Sequence, residues 1–382
     1  MRINRRALAR ALACVALAAL LLSAFGTAPV SAQTTWYVDD NTCPGVGDGS
    51  ASTPFCSIQD AIDAALDGDT INVAAGTYDG VNIDKGITLQ GAGMDDTLVD
   101  GNSFISGDGV VIDGCHIRAT SAGTHGIQIY PNSGAKDVLI RNSRIETQYS
   151  GKAAIYVEMS ALLDGFTVEN SEIIGDYGIT QSFGALNTTI RDSTFTGIAG
   201  STKRGIQLKT PMTNVLIENN DISGFAVGIR LDNNYTSLGA GPVIIRKNDI
   251  HDNDDEQLMI KRANGVTIEE NVFSGASAST ANIHLYGDYP DLNVAQIVKN
   301  TIADGPVGIL VEDGAAADSS AHCNDIIGNG TGIKNEDVDD NFDAKDNWWG
   351  CADGPGGSAC DTVSANVDFD PWLQRPFQEC AA

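Results

Sequence analysis

The chain has 382 residues, and 50 acidic side chains against 23 basic ones give it a formal net charge of −27 at pH 7. A polyanion of this size repels phosphate backbones and anionic lipid, which excludes nucleic acid and acidic membrane surfaces as expected partners. It also repels acidic polysaccharides unless cations or a local basic patch intervene.

Residues 1–32 have the pattern of a signal peptide. A start with four arginines precedes an apolar stretch over 11–25, and residues 30–32 form a small-residue cleavage site. Removing this segment takes away four positive charges and no negative ones, so the charge becomes −27 − 4 = −31. No later apolar run reaches roughly 18 residues. We therefore expect an exported protein without membrane insertion, either extracellular or at the periplasm or cell surface.

Residues 33–108 are predicted to form an N-terminal cap and the first coils. Cys43 and Cys56 are close in sequence and are a natural disulfide pair in an oxidising compartment. Ser57 and Asp60 form a capping box at the start of a short helix. The apolar face of this helix consists of Ile58, Ala61, Ile62, Ala65 and Leu66. Strands follow after Gly68, so the helix is placed to cover the open end of a stack of strands.

A six-residue phrase then recurs: an aliphatic residue, two variable residues, Ser or Asn, one variable residue, and an aliphatic or aromatic one. Its clear copies begin at Ile140, Val168, Ile190, Ile217, Ile245, Ile268 and Ile297. The Ser/Asn position recurs at uneven steps, from 22 residues between Ser171 and Ser193 to 29 between Asn271 and Asn300. A constant phrase with variable spacing is typical of a solenoid whose loops differ in length.

A second strand pattern, Gly or Ala followed by Ile, any residue, and Leu or Val, lies 8 to 13 residues after each Ser/Asn position. Two strand columns per coil predict a single-stranded, all-β parallel β-helix over residues 109–347. Leucine-rich repeats need a leucine-dominated phrase, and propeller blades need a longer period.

Residues 348–382 break this rhythm and are predicted to form a disulfide-bonded and Trp-rich C-terminal cap. Cys351 and Cys360 are the second candidate disulfide pair, and Cys323 with Cys380 is a third. Cys115 occupies the Ser/Asn column and is expected to be a small buried residue. The four tryptophans lie outside the coils, at Trp36, Trp348, Trp349 and Trp372.

The chain from residue 33 onward resembles the right-handed parallel β-helix proteins of the pectate-lyase-like superfold. The passage IQDAI…GDTINV…GTY…ITLQGAG, from Ile58 to Gly93, is similar to the opening coils of secreted bacterial β-helix proteins and of pectinesterases. The resemblance implies the fold. It leaves the activity open, because this superfold hosts lyases, hydrolases, epimerases, adhesins and binding proteins.

The residue after the first aliphatic position of the phrase alternates in charge from coil to coil. The series is Asp113, Arg141, Glu169, Arg191, Glu218, Arg246 and Glu269. Neighbouring residues of a strand face opposite ways, so this column points outward if the aliphatic residue points inward. Alternating charges on strands roughly 4.8 Å apart form a cross-strand ladder. We interpret this face as structural.

The outward positions of the second strand column are chemically mixed, so we place the functional site there. The candidate catalytic residues are Arg230, Asp232, Lys261 and His284. The candidate substrate-binding residues are Gln207, Lys209, Arg262, Tyr286 and Glu312. Long side chains on adjacent coils could converge on an extended polymer.

Two enzyme mechanisms fit these residues. In a lyase, Lys261 or Lys209 would remove the proton next to a uronate carboxylate, which Arg230 or Arg262 would neutralise. The passage IKRANGVTIEENVF resembles a pectate lyase coil, although the R-x-P-x-x-R and W-I-D-H motifs of that family are absent.

In a hydrolase, Asp232 with Asp254 or Asp255 would supply the acid and the base. The passage DDEQLMIK looks like the aspartate-pair coil of polygalacturonases, whose N-T-D, G-H-G and R-I-K motifs are missing.

Calcium is the one cofactor that the sequence suggests. Asp252, Asp254 and Asp255 form a carboxylate cluster of the kind that binds it, although an acidic loop is more often simply solvated. His116, His125 and His322 are scattered and form no ligand set.

These observations predict a monomeric, exported protein that acts on or binds extracellular polysaccharide or a surface glycan. The competing hypothesis is a non-catalytic surface or matrix protein, because none of the catalytic motifs named above is complete. It would bind glycan without forming products.

Overall fold

The computed structural model describes residues 33–119, 121–159, 161–181, 183–209, 211–232, 241–276, 280–287, 294–377 and 380. The predicted signal peptide over 1–32 lies outside the described residues. From Thr35 onward the chain forms one unit built from stacked coils. None of the helices in the described residues is long and apolar enough to cross a membrane.

The described strands form three parallel sheets, which we call the first, second and third sheet in the order in which each coil visits them. The first sheet contains Thr35–Val38, Thr70–Val73, Thr88–Gln90, Val111–Asp113, Val138–Arg141, Leu163–Glu169, Ala185–Arg191, Met212–Glu218, Val243–Arg246, Asn264–Glu269, Val294–Val298, Ser320–His322, Phe342–Asp343 and Val367–Asp368.

The second sheet contains Gly76–Asp79, Thr97–Asp100, His116–Arg118, Arg144–Glu146, Glu172–Gly175, Thr194–Gly197, Asp221–Ser223, Asp249–His251, Val272–Ser274, Thr301–Ala303 and Asp325–Ile327. The third sheet contains Asn82–Ile83, Ser103–Ile105, Ile127–Ile129, Ala153–Val157, Tyr177–Gln181, Arg204–Lys209, Val227–Asp232, Glu256–Lys261, Ile283–Tyr286, Val307–Glu312 and Thr331–Asn335. The described helices are the α-helix Ile58–Ala64 and the 3₁₀ turns Asp40–Thr42 and Pro131–Ser133.

The predicted parallel β-helix is confirmed, but two strand columns per coil is wrong, because each coil has three. The recurring phrase is not one strand. Its first two residues end a first-sheet strand, its third turns the chain, and its last two begin a second-sheet strand. The third residue of each clear copy has a left-handed backbone conformation, with φ of 50° at Asn142 and 47° at Asn170. Asn tolerates this conformation better than most residues, which explains why the chain bends there.

The Ser/Asn column lines the inside of this bend and bonds to itself along the stack. The Nδ2 of Asn248 donates to the Oδ1 of Asn271 at 2.9 Å, and Nδ2 of Asn271 donates to Oδ1 of Asn300 at 3.0 Å. Backbone N–H groups join the same ladder, such as that of Asn271 to the Oδ1 of Asn300 at 2.9 Å. These side chains are buried, so an unpaired member would leave polar atoms in the core without partners. Farther up the stack Ser143 and Ser171 continue the column.

The N-terminal cap follows the prediction except at one residue. Ser57 caps the helix by accepting from the N–H of Asp60 at 3.1 Å. The side chain of Gln59 bonds to the backbone of Asn82 in both directions, which ties the helix to the first strand of the third sheet. Leu66 is 60% exposed, so its assignment to the apolar face is wrong. The helix ends at Ala64, before Leu66 could turn toward the core.

The C-terminal end is closed by aromatic side chains and disulfides. Trp349 is fully buried, and Trp372 packs against the same core. All three expected disulfides form, joining Cys43 to Cys56, Cys323 to Cys380 and Cys351 to Cys360. Cys115 is buried as expected, and burial raises the pKa of its thiol to about 12.

We predict that the buried amide ladder stabilises the stack more than the exposed charges do. Asn271→Ala removes bonds to Ile245, Asn248 and Asn300 and should lower the free energy of unfolding by about 3 kcal/mol. Arg246→Ala, which removes a partly exposed charge of the first-sheet ladder, should lower the free energy of unfolding by less than about 1 kcal/mol. Urea unfolding of both variants measures the difference, and equal losses would contradict this account.

Candidate functional site

The outer column of the first sheet is a salt-bridge ladder, as predicted. Arg141 pairs with Asp113 at 2.8 Å, and Arg246 pairs with Glu218 at 2.7 Å. The strands bring each charge opposite the next, and each pair adds about 0.2–1 kcal/mol. The charges in these pairs neutralise one another along the ladder.

The third sheet places most of the predicted site residues in two adjacent columns on its outer face. Its register aligns one column as Gln207, Arg230, Met259, His284 and Leu310. The second column aligns Lys209, Asp232, Lys261, Tyr286 and Glu312. The candidates are therefore neighbours on consecutive strands. They separate into two groups that have different chemistry.

The first group lines an open cleft of about 510 Å³, which we call the basic cleft. Its walls carry three cations, Arg204, Lys209 and Arg230, and one carboxylate, Asp232. Asp232 accepts a hydrogen bond from the guanidinium of Arg230 at 3.1 Å. The Nε atoms of Arg204 and Arg230 have no hydrogen-bond partner among the described residues, so the protein does not use the full donor capacity of either group. A local excess of cations thus interrupts the acidic surface.

Two aromatic rings form part of the wall of the basic cleft. His125 stacks on Tyr156 with 4.3 Å between ring centroids and 18° between planes. The Nδ1 of His125 accepts from the N–H of Ala153 at 2.9 Å, so the neutral ring carries its proton on Nε2. Burial, together with the charge of Lys152, lowers the pKa of His125 to about 4. The ring is therefore neutral at ordinary pH.

The second group, which we call the histidine triad, consists of Glu256, His284 and Glu312. The Nδ1 of His284 lies 3.2 Å from the Oε1 of Glu256, and its Nε2 lies 2.9 Å from the Oε2 of Glu312. Burial alone would lower the pKa of His284, but the hydrogen bonds and charges of the two glutamates outweigh it and raise that pKa. The two carboxylates therefore favour the protonated form of the His284 ring.

Tyr286 borders the triad and carries a cation on its ring. It meets His284 edge to face, and the Nζ of Lys261 lies 4.5 Å from its ring centroid. Its hydroxyl bonds to Asp313, which together with the charge of that group raises the pKa of Tyr286. Lys261, which lies on the strand next to that of Asp232, is thereby positioned against the aromatic face of Tyr286.

The structure corrects two of the predicted assignments. Arg262 is only 2% exposed and lies in a left-handed turn after its strand, so it does not reach the outer face. Asp232 aligns with Lys261, whereas Asp255 lies six residues before Lys261, about 20 Å along the strand direction. An acid and base pair for glycoside hydrolysis must lie about 5–9.5 Å apart. Asp232 therefore cannot act with Asp254 or Asp255.

The proposed calcium ligands remain dispersed around a turn. Asp252 has a left-handed backbone and contacts the Nδ1 of His251 at 2.9 Å, while Asp254 and Asp255 are exposed. In the parts of the chain that the structure describes, no three His, Cys, Asp or Glu side chains are grouped to hold a metal ion. The geometry therefore adds no support for calcium here.

Sequence reasoning missed several members of both groups. Arg204 and Glu256 stand at the start of their strands, before the periodic Ile that located the column. His125 comes from the loop before Ile127 and meets Tyr156 of the next coil 31 residues later. No local pattern signals a contact of this kind, because it depends on the length of the intervening loop.

The described strands form a stack of eleven three-strand coils, which defines a parallel β-helix protein, and one of its sheets carries the candidate site on its outer face. The family model "Right handed beta helix region" matches residues 100–239 and 187–349, which together cover well over half of the chain. The chain belongs to this family.

Solved structures with this fold match most of this chain but are distant in sequence. The A-module of mannuronan C-5 epimerase AlgE6 from Azotobacter vinelandii is 13% identical, with a TM-score of 0.56 over 83% of this chain and 93% of that one. The AlgE4 A-module from the same organism is 16% identical, with a TM-score of 0.53 over 89% and 98%. The Dettilon tailspike protein is 14% identical, with a TM-score of 0.56 over 86% and 68%. No curated protein matches the sequence.

The raised pKa of His284 predicts a pH-dependent contribution to stability. The charged imidazole is favoured in the folded state, so the stabilisation is complete below the unfolded pKa of 6.5 and is lost as pH rises through the folded value. The melting-temperature advantage of the wild type over His284→Gln should shrink as the pH rises above 6.5.

Met259→Gln is the matched control for this prediction. It changes the aligned position on the preceding strand and removes no titratable group. Its melting-temperature difference from the wild type should stay constant over the same pH range. A constant difference for His284→Gln as well would show that the triad does not hold an extra proton.

Proposed function

We propose that this protein is an exported polysaccharide lyase that binds an acidic, uronate-containing polymer along the outer face of its third sheet. The observation that carries the proposal is the convergence of Arg204, Lys209 and Arg230 on one cleft in a chain of net charge −27. A polyanion gains nothing in solubility from such a patch, whereas a carboxylate ligand needs it.

The fold supports a polymeric ligand. The basic cleft spans the strands that contain Tyr156, Thr180, Gln207 and Arg230, which are consecutive in register. Four strands at about 4.8 Å spacing extend about 14 Å, so several sugar units could lie across them. The mannuronan epimerase modules, which share the fold, are named for a uronate polymer. Three disulfides agree with export to an oxidising compartment.

The reaction needs a carboxylate clamp and a base. The guanidinium of Arg230 binds the uronate carboxylate and stabilises the charge that builds up when the neighbouring C–H proton is removed. The amine of Lys209, on the adjacent strand, accepts that proton in its neutral form and becomes an ammonium. The C–H electron pair forms a carbon–carbon double bond, and the glycosidic C–O bond breaks with its electron pair going to the departing oxygen, which takes up a proton from water.

A second candidate function is binding without catalysis. Asp232 already accepts from Arg230 at 3.1 Å, an arrangement that can hold the guanidinium in place for a ligand without taking part in chemistry. The two functions predict the same binding surface and differ in whether products form.

The proposal is tested by offering purified protein a panel of uronans and neutral glycans, with and without calcium. Unsaturated ends, reducing ends and binding are scored separately. We expect unsaturated products from a uronan alone. Arg230→Ala should weaken uronan binding about 10-fold or more, because it removes a charge-assisted contact. Lys209→Ala should abolish product formation while keeping most of the binding.

Lys334→Ala is the control, because Lys334 lies on the same face in the last strand of the sheet, outside the basic cleft. It should leave binding and products unchanged. Binding without products would select the second function. Loss of products in Lys261→Ala but not in Lys209→Ala would assign the base to Lys261, on the other strand that neighbours the strand of Arg230. Equal binding of neutral glycans would contradict the proposal.

A further inference from the structure

The stacked rings of His125 and Tyr156 lie at the end of the basic cleft that is farthest from Arg230. Three strand steps separate Tyr156 from Arg230, which is about 14 Å at the usual strand spacing. The arginine end offers charge, and the ring end offers a flat apolar surface. These two ends therefore recognise different parts of a sugar polymer.

The ring pair is held in place by contacts that do not depend on a ligand. The bond from the Ala153 N–H fixes the orientation of the His125 ring, and that ring stacks on one face of Tyr156 with 4.3 Å between ring centroids. Met159 lines the same cleft and is 57% exposed, which extends the apolar surface beyond the rings. An exposed methionine beside a fixed aromatic pair is a surface that favours an apolar ligand face.

The electrostatics of the pair favour a sugar ring over an anion. His125 is neutral at ordinary pH, so it adds no charge to attract a carboxylate. An aromatic face is electron-rich and attracts the weakly positive C–H edges of an apolar surface. One face of a pyranose ring presents such C–H groups.

We propose that His125 and Tyr156 form a stacking subsite for a pyranose ring, three strands away from the arginine that binds the uronate carboxylate. The inference rests on the proposed function, because it assumes that a polysaccharide lies in the basic cleft. It adds that the protein binds longer oligomers more tightly than short ones, since a ligand must span about 14 Å to occupy both ends of the basic cleft.

The experiment compares the binding of a uronan hexasaccharide and a disaccharide to wild type and variants by calorimetry. Tyr156→Ala should weaken hexasaccharide binding about 5- to 10-fold and leave disaccharide binding, centred on Arg230, unchanged. Tyr156→Phe keeps the ring and should bind like the wild type. The loss in Tyr156→Ala should not vary with salt, whereas the loss in Arg230→Ala should decline as salt screens the charge.

Tyr130→Ala is the matched control, because this tyrosine belongs to the preceding coil and does not line the basic cleft. It should bind both ligands like the wild type. Tyr156→Ala that binds the hexasaccharide as tightly as the wild type would overturn the subsite while leaving the proposed function standing. Equal weakening of both ligands would show a general structural effect and would also overturn it. Wild type that binds neither ligand would overturn the proposed function itself, and the subsite with it.

Discussion

The buried amide ladder at the bend between the first and second sheets is the interaction on which the rest of this structure depends. Within the Ser/Asn column, the side-chain Nδ2 of each Asn from Asn220 to Asn324 donates to the Oδ1 of the next, as far as Asn347, at 2.9 to 3.0 Å. Most of the other buried side chains are apolar, and apolar contacts tolerate small shifts. Amide pairs do not tolerate such shifts, because a change of register between coils would leave buried polar atoms without partners. The ladder therefore holds the coils from Asn220 to Asn347 in one register.

That register determines what the outer surfaces can do. On the first sheet it aligns alternating charges, which neutralise one another in pairs such as Arg246 with Glu218. On the third sheet it aligns Lys209, Asp232 and Lys261 in one column, but Asp232 pairs with Arg230 of its own strand. The basic cleft therefore keeps cationic groups whose charge is only partly neutralised, while the charges of the first sheet are paired. This difference supports the proposal that the ligand surface lies on the third sheet.

The fold could be predicted from the sequence because its signals are local and repeated. The phrase around each Ser or Asn, the Ser57 cap and the short-range cysteine pairs each need only neighbouring residues. The number of sheets was not predictable in the same way. The left-handed residue at position three of the phrase can be Asn, Asp, Lys or Glu, as at Asp192 and Lys247, so composition did not mark the bend.

The alignment of the candidate residues was predictable from the sequence, and their contacts were not. The period-two pattern placed Lys209, Arg230 and His284 in columns that the strand register contains. Whether a side chain at such a position is open or covered depends on loops of variable length. His284 is buried because Glu256 and Glu312 close over it, and Arg262 because the chain turns directly after its strand. Neither effect has a signature in the periodic pattern.

The most direct test of the central claim, that the third sheet carries a binding surface for acidic polysaccharide, is a crystal structure of Lys209→Ala with a uronan oligosaccharide. We expect the oligosaccharide to bind along the basic cleft, with one of its carboxylates on the guanidinium of Arg230. An oligosaccharide bound along the charge ladder of the first sheet, or at a capped end of the stack, would contradict it.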